Sequence, residues 1–319
     1  MSTALPPSPA PAPPRGRIVI AHPDRRVHRA LHRLIGPAQW PVEGVTNLEA
    51  LAAAVDGEVI AIVDAGLART CPELRSRPAH AWIAVHGDGR EAPDPQTVET
   101  LLGAGWTHVA AHPLPLLAEE LPTTLFKLTR REAFGLEKYL AWGADVRGYT
   151  LENARDRIPA VAALSEDVRA VALPERADSL ARVIADELLA NALYAAPVDE
   201  AGRRFRAREE RDRPRALTGR EAVTLRWGTD ARYLAIEVRD RWGSLDEVAI
   251  TRRLVSGMAA ENGGGMGLTL VYACCTQLVI GTVPSVCTEV IALLDLRFSP
   301  EEIGRSTSFH AFRSAEAIG

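Results

Sequence analysis

Residues 180–192 read LARVIADELLANA, and this stretch decides the fold of the second half of the chain. An amphipathic helix repeats its buried face at positions i, i+3, i+4, i+7, i+8 and i+11. Counted from Leu180, that face holds Val183, Ile184, Glu187, Leu188 and Asn191. Burying polar side chains is costly unless they have partners. We therefore predict a helix whose inner face carries a functional site at Glu187 and Asn191, with a pair satisfied by neighbouring backbone as the alternative.

Residues 233–240 alternate in the manner of a half-buried strand. Leu234, Ile236 and Val238 share one face, and Asp240 has the same parity. The pattern predicts a carboxylate that points to the buried side at the end of a strand.

Residues 262–268, NGGGMGL, form a glycine-rich stretch before an apolar segment. Glycines allow backbone to approach a phosphate closely. A helix that begins near Gly267 offers free N–H groups and a positive dipole end. A glycine loop alone is a weak signal, so its meaning depends on the other two segments.

The three segments follow one another within about 80 residues. In this order they resemble the N-box, the Asp-x-Gly-x-Gly box and the glycine box of the histidine-kinase-like (GHKL) ATPases. The resemblance implies that Asn191 coordinates the Mg²⁺ bridging the phosphates of ATP. It also implies that Glu187 acts as a base or orients water, and that Asp240 accepts a hydrogen bond from the adenine amino group.

The resemblance assigns further nucleotide contacts. Trp242 and Ser244 stand where the family has glycines, and a glycine is shifted to Gly243, so Trp242 either stacks near the base or closes the pocket. Thr288, in a strand predicted over 286–296, matches a threonine near the adenine, and residues 246–261 would form a mobile lid. The implied phosphate loop consists of Gly263, Gly265, Met266, Gly267 and Leu268.

For residues 166–298 the resemblance implies an α+β Bergerat sandwich, a mixed sheet covered by helices on one face. Residues 15–115 instead alternate strands and helices, which predicts an α/β doubly wound parallel sheet. The expected strands are Ile18–Ala21, Val59–Val63, Trp82–Val85 and His108–Ala111, and a helix is expected over Arg26–Ile35.

The first half resembles a response-regulator receiver in two places. Asp64 ends its strand, where ligands bind in open α/β sheets. His112-Pro113 follows the last strand, where receivers carry Lys-Pro. The acidic pair that holds Mg²⁺ in receivers is replaced by His22-Pro23, with only Asp24 beyond it.

His86 stands where receivers carry Thr or Ser after the fourth strand. We therefore expect a degenerate receiver-like domain, in which Asp64 is either a phosphoacceptor or an ordinary residue of an interaction domain. A metal or pH-sensing role for His22, His86 and His112 is a further alternative.

Residues 116–165 are expected to form a helical connector. The apolar side chains of 116–145 would pair with another subunit, forming a homodimer, or pack within the chain. Residues 1–14 are proline-rich and expected to be disordered. Residues 299–319 are expected to form a flexible tail with His310 on its surface.

Composition excludes several classes of function. The net charge of −4 gives no general drive toward nucleic acid or membrane. Residues 199–221 hold eight arginines but also six acids, which indicates a solvated loop. No run of about 18 apolar residues and no signal segment is present. The four cysteines lack metal-ligand spacing, so we expect a reduced, cytoplasmic protein.

The positions of the histidines limit the reactions in which the chain could use ATP. No histidine occurs between His112 and His310, so the chain lacks the acceptor histidine of a sensor kinase hairpin. Three interpretations stay open for an ATP- and Mg²⁺-binding signalling protein of the two-component type. It phosphorylates a histidine of another protein, it acts on a partner's Ser or Thr as the anti-sigma-factor kinases do, or it is a nucleotide-switched scaffold.

Overall fold

A computed structural model describes residues 16–36, 40–70, 77–86, 94–112, 117–171, 173–211, 213–259, 267–297 and 307–314. Within these ranges the chain is mixed α/β, with eleven strands in one mixed sheet. The strands are β1 (Arg17–Ala21), β2 (Val42–Val45), β3 (Val59–Asp64), β4 (Ala81–Val85), β5 (His108–Ala110), β6 (Val146–Leu151), β7 (Val223–Thr229), β8 (Tyr233–Asp240), β9 (Gln277–Val283), β10 (Cys287–Asp295) and β11 (Ser308–Arg313).

Nine α-helices accompany these strands in the described ranges. They are α1 (Arg25–Ile35), α2 (Leu48–Ala54), α3 (Ala65–Thr70), α4 (Pro95–Gly103), α5 (Leu117–Arg130), α6 (Arg157–Ala170), α7 (Glu175–Ala190), α8 (Glu247–Ala259) and α9 (Gly267–Cys274). None of them is both long and apolar enough to cross a membrane.

The first five strands are parallel, in the order β2-β1-β3-β4-β5. Helices α1 and α5 cover one face of this part of the sheet, and α2, α3 and α4 cover the other. The four strands and the helix expected from the sequence are present within one residue of their predicted ends. Strand β2 was not predicted, because only the two end residues of VEGV are apolar.

The C-terminal strands continue the same sheet in the order β11-β9-β10-β8-β7-β6. All of these pairings are antiparallel except β11 with β9. Helices α6, α7 and α9 pack on one face. The other face is covered by residues 133–139, whose buried members are Ala133, Phe134, Leu136 and Tyr139. A mixed sheet with helices on one face is the arrangement expected for this half.

Strand β11 contradicts the prediction of a flexible tail at Ser308–Arg313, whereas residues 299–306 and 315–319 of that prediction lie outside the described residues. It lies between β5 and β9, so it joins the two halves into a continuous sheet. Its first five residues are buried, because helices or chain segments cover the sheet on both sides. A strand buried on both faces shows no polar-apolar alternation, so periodicity could not identify it. The polar end residues Ser308 and Arg313 also made the segment look like part of a polar tail.

His310 is buried rather than on the surface. Its Nε2 lies 2.8 Å from Glu120 Oε1, and His112 Nδ1 lies 2.7 Å from Glu120 Oε2. Burial alone would raise the pKa of Glu120, but the charges and hydrogen bonds of the two histidines lower it to about 2. The contact between Glu120 and His310 joins α5 to β11 in the interior. Because each side chain is the other's partner, both polar groups can be buried there.

The connector predicted over 116–165 is only partly helical. After α5 and a 3₁₀ turn at Leu136–Tyr139, the chain forms β6, the edge strand of the C-terminal sheet. Most apolar side chains of the connector pack within the chain. Phe126, Trp142 and Ile158 remain exposed, so intramolecular packing accounts for much, but not all, of the connector's apolar surface.

The segment expected to be a mobile lid over 246–261 contains helix α8. Ile250, Thr251 and Leu254 are buried on its inner face. The helix packs against α9 and against α4 of the N-terminal half. The segment between the strand and the glycine loop is therefore a helix with an apolar anchor.

Candidate functional site

A pocket lies between α7, α8 and the ends of β8 and β10. It brings together three residues that the sequence separates widely, Asn191, Asp240 and Leu268. The remaining lining residues are mostly apolar: Leu188, Ala192, Ala195, Ala196, Val238, Leu245 and Val290, with Arg204 and Arg253. An apolar lining with a few convergent polar groups is typical of small-molecule sites, but the volume of about 40 Å³ is far below the roughly 300–1,000 Å³ that such sites usually have.

Helix α7 does not simply end before the pocket. It continues as a π-helical turn over Asn191–Ala195, in which Ala196 N donates to Asn191 O at 2.8 Å. Single π turns inside helices are rare and concentrate at functional sites. The turn presents the Asn191 side chain to the pocket. Among the described residues, Asn191 Nδ2 is buried without a hydrogen-bond partner, so this donor is available to a ligand.

The predicted inner face of α7 is correct at Ile184 and Leu188 but wrong at Val183, which is 38% exposed. The buried face is instead shifted toward Ala181 and Ala185. Glu187 consequently lies half-buried at the edge of the face rather than within it. Glu187 is not among the described residues that line the pocket, and its carboxylate lies against Gly267 at the start of α9.

Gly267 begins α9 directly against the side chains of Glu187 in α7 and Asn191 in the π turn. A Cβ atom at this position would lie 3.3 Å from Asn191 Nδ2 and would run into the Glu187 carboxylate. A glycine therefore lets the first turn of α9 approach both side chains without displacing the Glu187 carboxylate. Gly263, Gly265 and Met266, also predicted to hold phosphate, lie outside the described residues.

Asp240 ends β8 with its side chain buried, as its parity predicted. Its Oδ1 accepts a hydrogen bond from Trp242 N at 2.8 Å. Burial raises the pKa of Asp240 to about 6, although backbone N–H groups act in the opposite direction. Thr288 pairs with Asp240 across β10 and β8, and its Oγ1 is buried without a hydrogen-bond partner in the described residues.

Trp242, in the loop after β8, is buried against neighbouring side chains. Its ring packs edge-to-face on Phe205, with centroids 5.8 Å apart, and the Arg220 guanidinium lies 4.8 Å from the ring centroid. Ser244 Oγ donates to Ala196 O at 2.7 Å, which ties the same loop to the end of the π turn. Trp242 is not among the described residues that line the pocket, so neither role proposed for it from the sequence is tested.

Two arginines of the pocket were not foreseen. Arg204 comes from the loop after the π turn, and Arg253 comes from α8. Neither has an ion-pair partner among the described residues. Partial burial and the charge of Arg253 lower the pKa of Arg204. Nothing in the sequence distinguishes Arg204 from the seven other arginines of 199–221, so only the fold identifies it.

The receiver-like site in the N-terminal half holds a different set of contacts. Asp64 accepts a hydrogen bond from Leu67 N at 3.0 Å, and its other oxygen lies 3.5 Å from His22 Nε2. Asp24 caps α1 by accepting from Arg26 N at 2.6 Å. The described residues contain no group of three or more His, Cys, Asp or Glu that could hold a metal ion. Asp64 thus makes structural contacts within its own half, and both alternatives for it, phosphoacceptor and ordinary residue of an interaction domain, stay open predictions.

No protein-family model matches this chain, and no curated protein matches it either.

Asp240→Asn is expected to change how stability depends on pH. The native carboxyl, with a pKa near 6 against an ordinary 3.8, binds its proton more tightly than the unfolded chain does. Its contribution to the free energy of unfolding therefore falls as pH rises from about 4 to about 6, then levels. Urea unfolding should show a variant-minus-wild-type difference that grows by up to about 3 kcal/mol over this range. A difference independent of pH would contradict this.

Proposed function

We propose that the chain is an ATP-binding signal-transduction protein of the GHKL kinase type that carries no phosphoacceptor histidine of its own. The observation that carries the proposal is the convergence of Asn191, Asp240 and Leu268 on one pocket, with Gly267 packed against Glu187. Each of these residues belongs to a sequence motif that resembles a nucleotide-binding box of the GHKL family.

The residues present suit the parts of a nucleotide. Asp240 would accept from the adenine amino group, and Thr288, whose hydroxyl lacks a partner in the described residues, lies across the strands from it. The N-terminus of α9 at Gly267 offers free N–H groups and a favourable dipole for phosphate. Arg204 and Arg253 would neutralise phosphate charge, which explains two cations in one pocket without acidic partners in the described residues.

Asn191 and Glu187 fit the reaction itself. An asparagine amide oxygen is a suitable ligand for Mg²⁺ beside phosphates. Glu187, half-buried one helical turn away, would act as the base or orient the attacking group. The phosphoryl acceptor would belong to a partner protein, either a histidine or a Ser/Thr hydroxyl.

A second candidate is a nucleotide-switched scaffold that binds ATP with little turnover. The Trp242 loop favours it, because the two glycine positions of the family's adenine box hold Trp242 and Ser244. The packing of α8 on α4 would pass a nucleotide-dependent shift to the receiver-like half.

Asn191→Ala and Asp240→Ala are expected to weaken ATP binding by at least tenfold. Each removes a contact in which one partner is charged, the Mg²⁺ ion for Asn191 and the carboxylate itself for Asp240, and such a contact is worth about 1.5–3 kcal/mol. Binding is measured on the full chain by titrating ATP with Mg²⁺ and following the unfolding temperature. Asn47→Ala and Asp56→Asn, both in the N-terminal half, are the matched controls. Wild-type affinity in both site variants would refute the assignment of the pocket.

Labelled ATP then separates the two candidates. With γ-labelled ATP, released phosphate or labelled protein that disappears in Glu187→Gln would support catalysis. Binding without release or transfer, unchanged in Glu187→Gln, would support the scaffold.

A further inference from the structure

A second cleft lies on the opposite side of the sheet from the nucleotide pocket. Its floor is the outer face of β8, β9 and β10, and its walls are α5, residues 138–141 and the β7–β8 turn at 230–232. Its volume of about 550 Å³ falls within the range of small-molecule sites. None of its residues takes part in the proposed nucleotide site.

The floor of the cleft carries a polar group that the fold leaves unused. Gln277 is 3% exposed and lines the cleft from the first position of β9. Its Nε2 atom is buried and has no hydrogen-bond partner among the described residues. A buried amide without a partner destabilises the fold, so its presence in a cavity wall is expected where a ligand completes it.

The charged groups around the cleft are already neutralised. Arg297 pairs with Asp295 at 2.9 Å, and Arg232 pairs with Asp295 at 2.9 Å and with Glu119. Lys138 pairs with Glu132 at 2.8 Å. Among the described residues that line the cleft, each cation therefore has an acidic partner and none is left to attract an anion.

The acidic groups are likewise satisfied. Asp230 accepts from the backbone N–H groups of Ala141, Arg232 and Tyr233, each at 2.7 Å. Glu120 is held by its two histidines. A charged ligand would have to displace one of these contacts, whereas a neutral ligand would leave them in place.

The rest of the lining is apolar or aromatic. Leu293 and Leu140 line the cleft together with Tyr139 and Tyr233. The Tyr139 hydroxyl already accepts from Lys127 Nζ at 3.1 Å, so this tyrosine offers mainly its ring. Flat aromatic walls favour a ligand with a ring-shaped body.

We propose that this cleft binds a small uncharged molecule with a ring body and a carbonyl oxygen that accepts the free N–H of Gln277. The site is formed jointly by α5 of the N-terminal half and the C-terminal sheet, so its ligand contacts both halves. The proposal does not depend on nucleotide binding.

Benzamide is the probe, because it combines a neutral ring with a carboxamide, and benzoate and benzylammonium are its charged counterparts. Saturation-transfer NMR on the full chain at equal probe concentrations should show binding of benzamide but not of the two ions. Gln277→Leu should weaken benzamide binding roughly fivefold to tenfold, the usual worth of one neutral hydrogen bond. Gln96→Leu, an exposed glutamine of α4, should leave it unchanged.

Two further measurements keep the test independent of misfolding. Ala141→Trp, at an exposed rim position, should block benzamide, whereas Ala201→Trp on an exposed loop should not. Without probe, Gln277→Leu should unfold at the wild-type temperature or higher, because it removes an unpaired buried amide. Equal benzamide binding in Gln277→Leu, absence of benzamide binding to the wild type, or a lower unfolding temperature for Gln277→Leu would overturn the proposal.

Discussion

A chain that ends at residue 306 is expected not to fold. It lacks β11, whose Phe309 and Phe312 are almost completely buried between the two halves of the sheet. Deleting a buried phenylalanine side chain costs about 3–5 kcal/mol, so the two together approach the whole stability of a typical domain. The truncation also leaves β5 and β9 as open edges with unpaired backbone groups, which promotes aggregation.

Soluble yield and circular dichroism with urea unfolding measure the outcome. A chain that ends at residue 314 keeps β11 and should unfold at the wild-type midpoint. Phe309→Ala in the full chain should lower the free energy of unfolding by about 3–5 kcal/mol, which separates the side chain from the backbone of the strand. A soluble, cooperatively unfolding 306-residue chain would show that β11 is dispensable.

Gly243→Ala is expected to lower the free energy of unfolding by about 3 kcal/mol or more. Gly243 has φ +58°, which an alanine adopts only with strain. A Cβ atom there would also lie 2.7 Å from Ser285 N and 2.6 Å from Val286 N, both backbone atoms of the β9–β10 turn. Backbone cannot move aside as a flexible side chain would, so the loop after Asp240 must shift.

Gly219→Ala is the matched control. Gly219 has nearly the same angle, φ +56°, but a Cβ atom there meets nothing within 4 Å. It should cost only the backbone strain of about 1 kcal/mol. Urea unfolding compares the two, and equal losses would mean that contact with the β9–β10 turn is unimportant. ATP titration of Gly243→Ala should also show weakened binding, because Asp240 accepts its hydrogen bond from within this loop.

The sequence predicted elements whose pattern is local. The parity of Asp240 in β8, the four apolar runs of the N-terminal half and the helix around Glu187 follow from periodicities of two and 3.6 residues. Those periodicities are set by backbone geometry, so they survive whatever the strands and helices pack against. The residues of the proposed nucleotide site follow instead from the resemblance of three motifs, in their order and spacing, to the boxes of the GHKL ATPases.

Only the tertiary structure shows which side chains are buried or exposed through contacts with residues far away in the sequence. Strand β11 reads as a tail, because its burial comes from β5, nearly 200 residues earlier, and from β9. Val183 is exposed because the position of α7 on the sheet, not its own periodicity, sets which side faces inward. Arg204, Arg253 and Gln277 carry no local signal at all, since an ordinary arginine or glutamine becomes informative only when the fold places it in a cavity without a partner. Local sequence thus determined the elements and the candidate motifs, whereas the joining of the two halves and the second cleft arise from long-range packing.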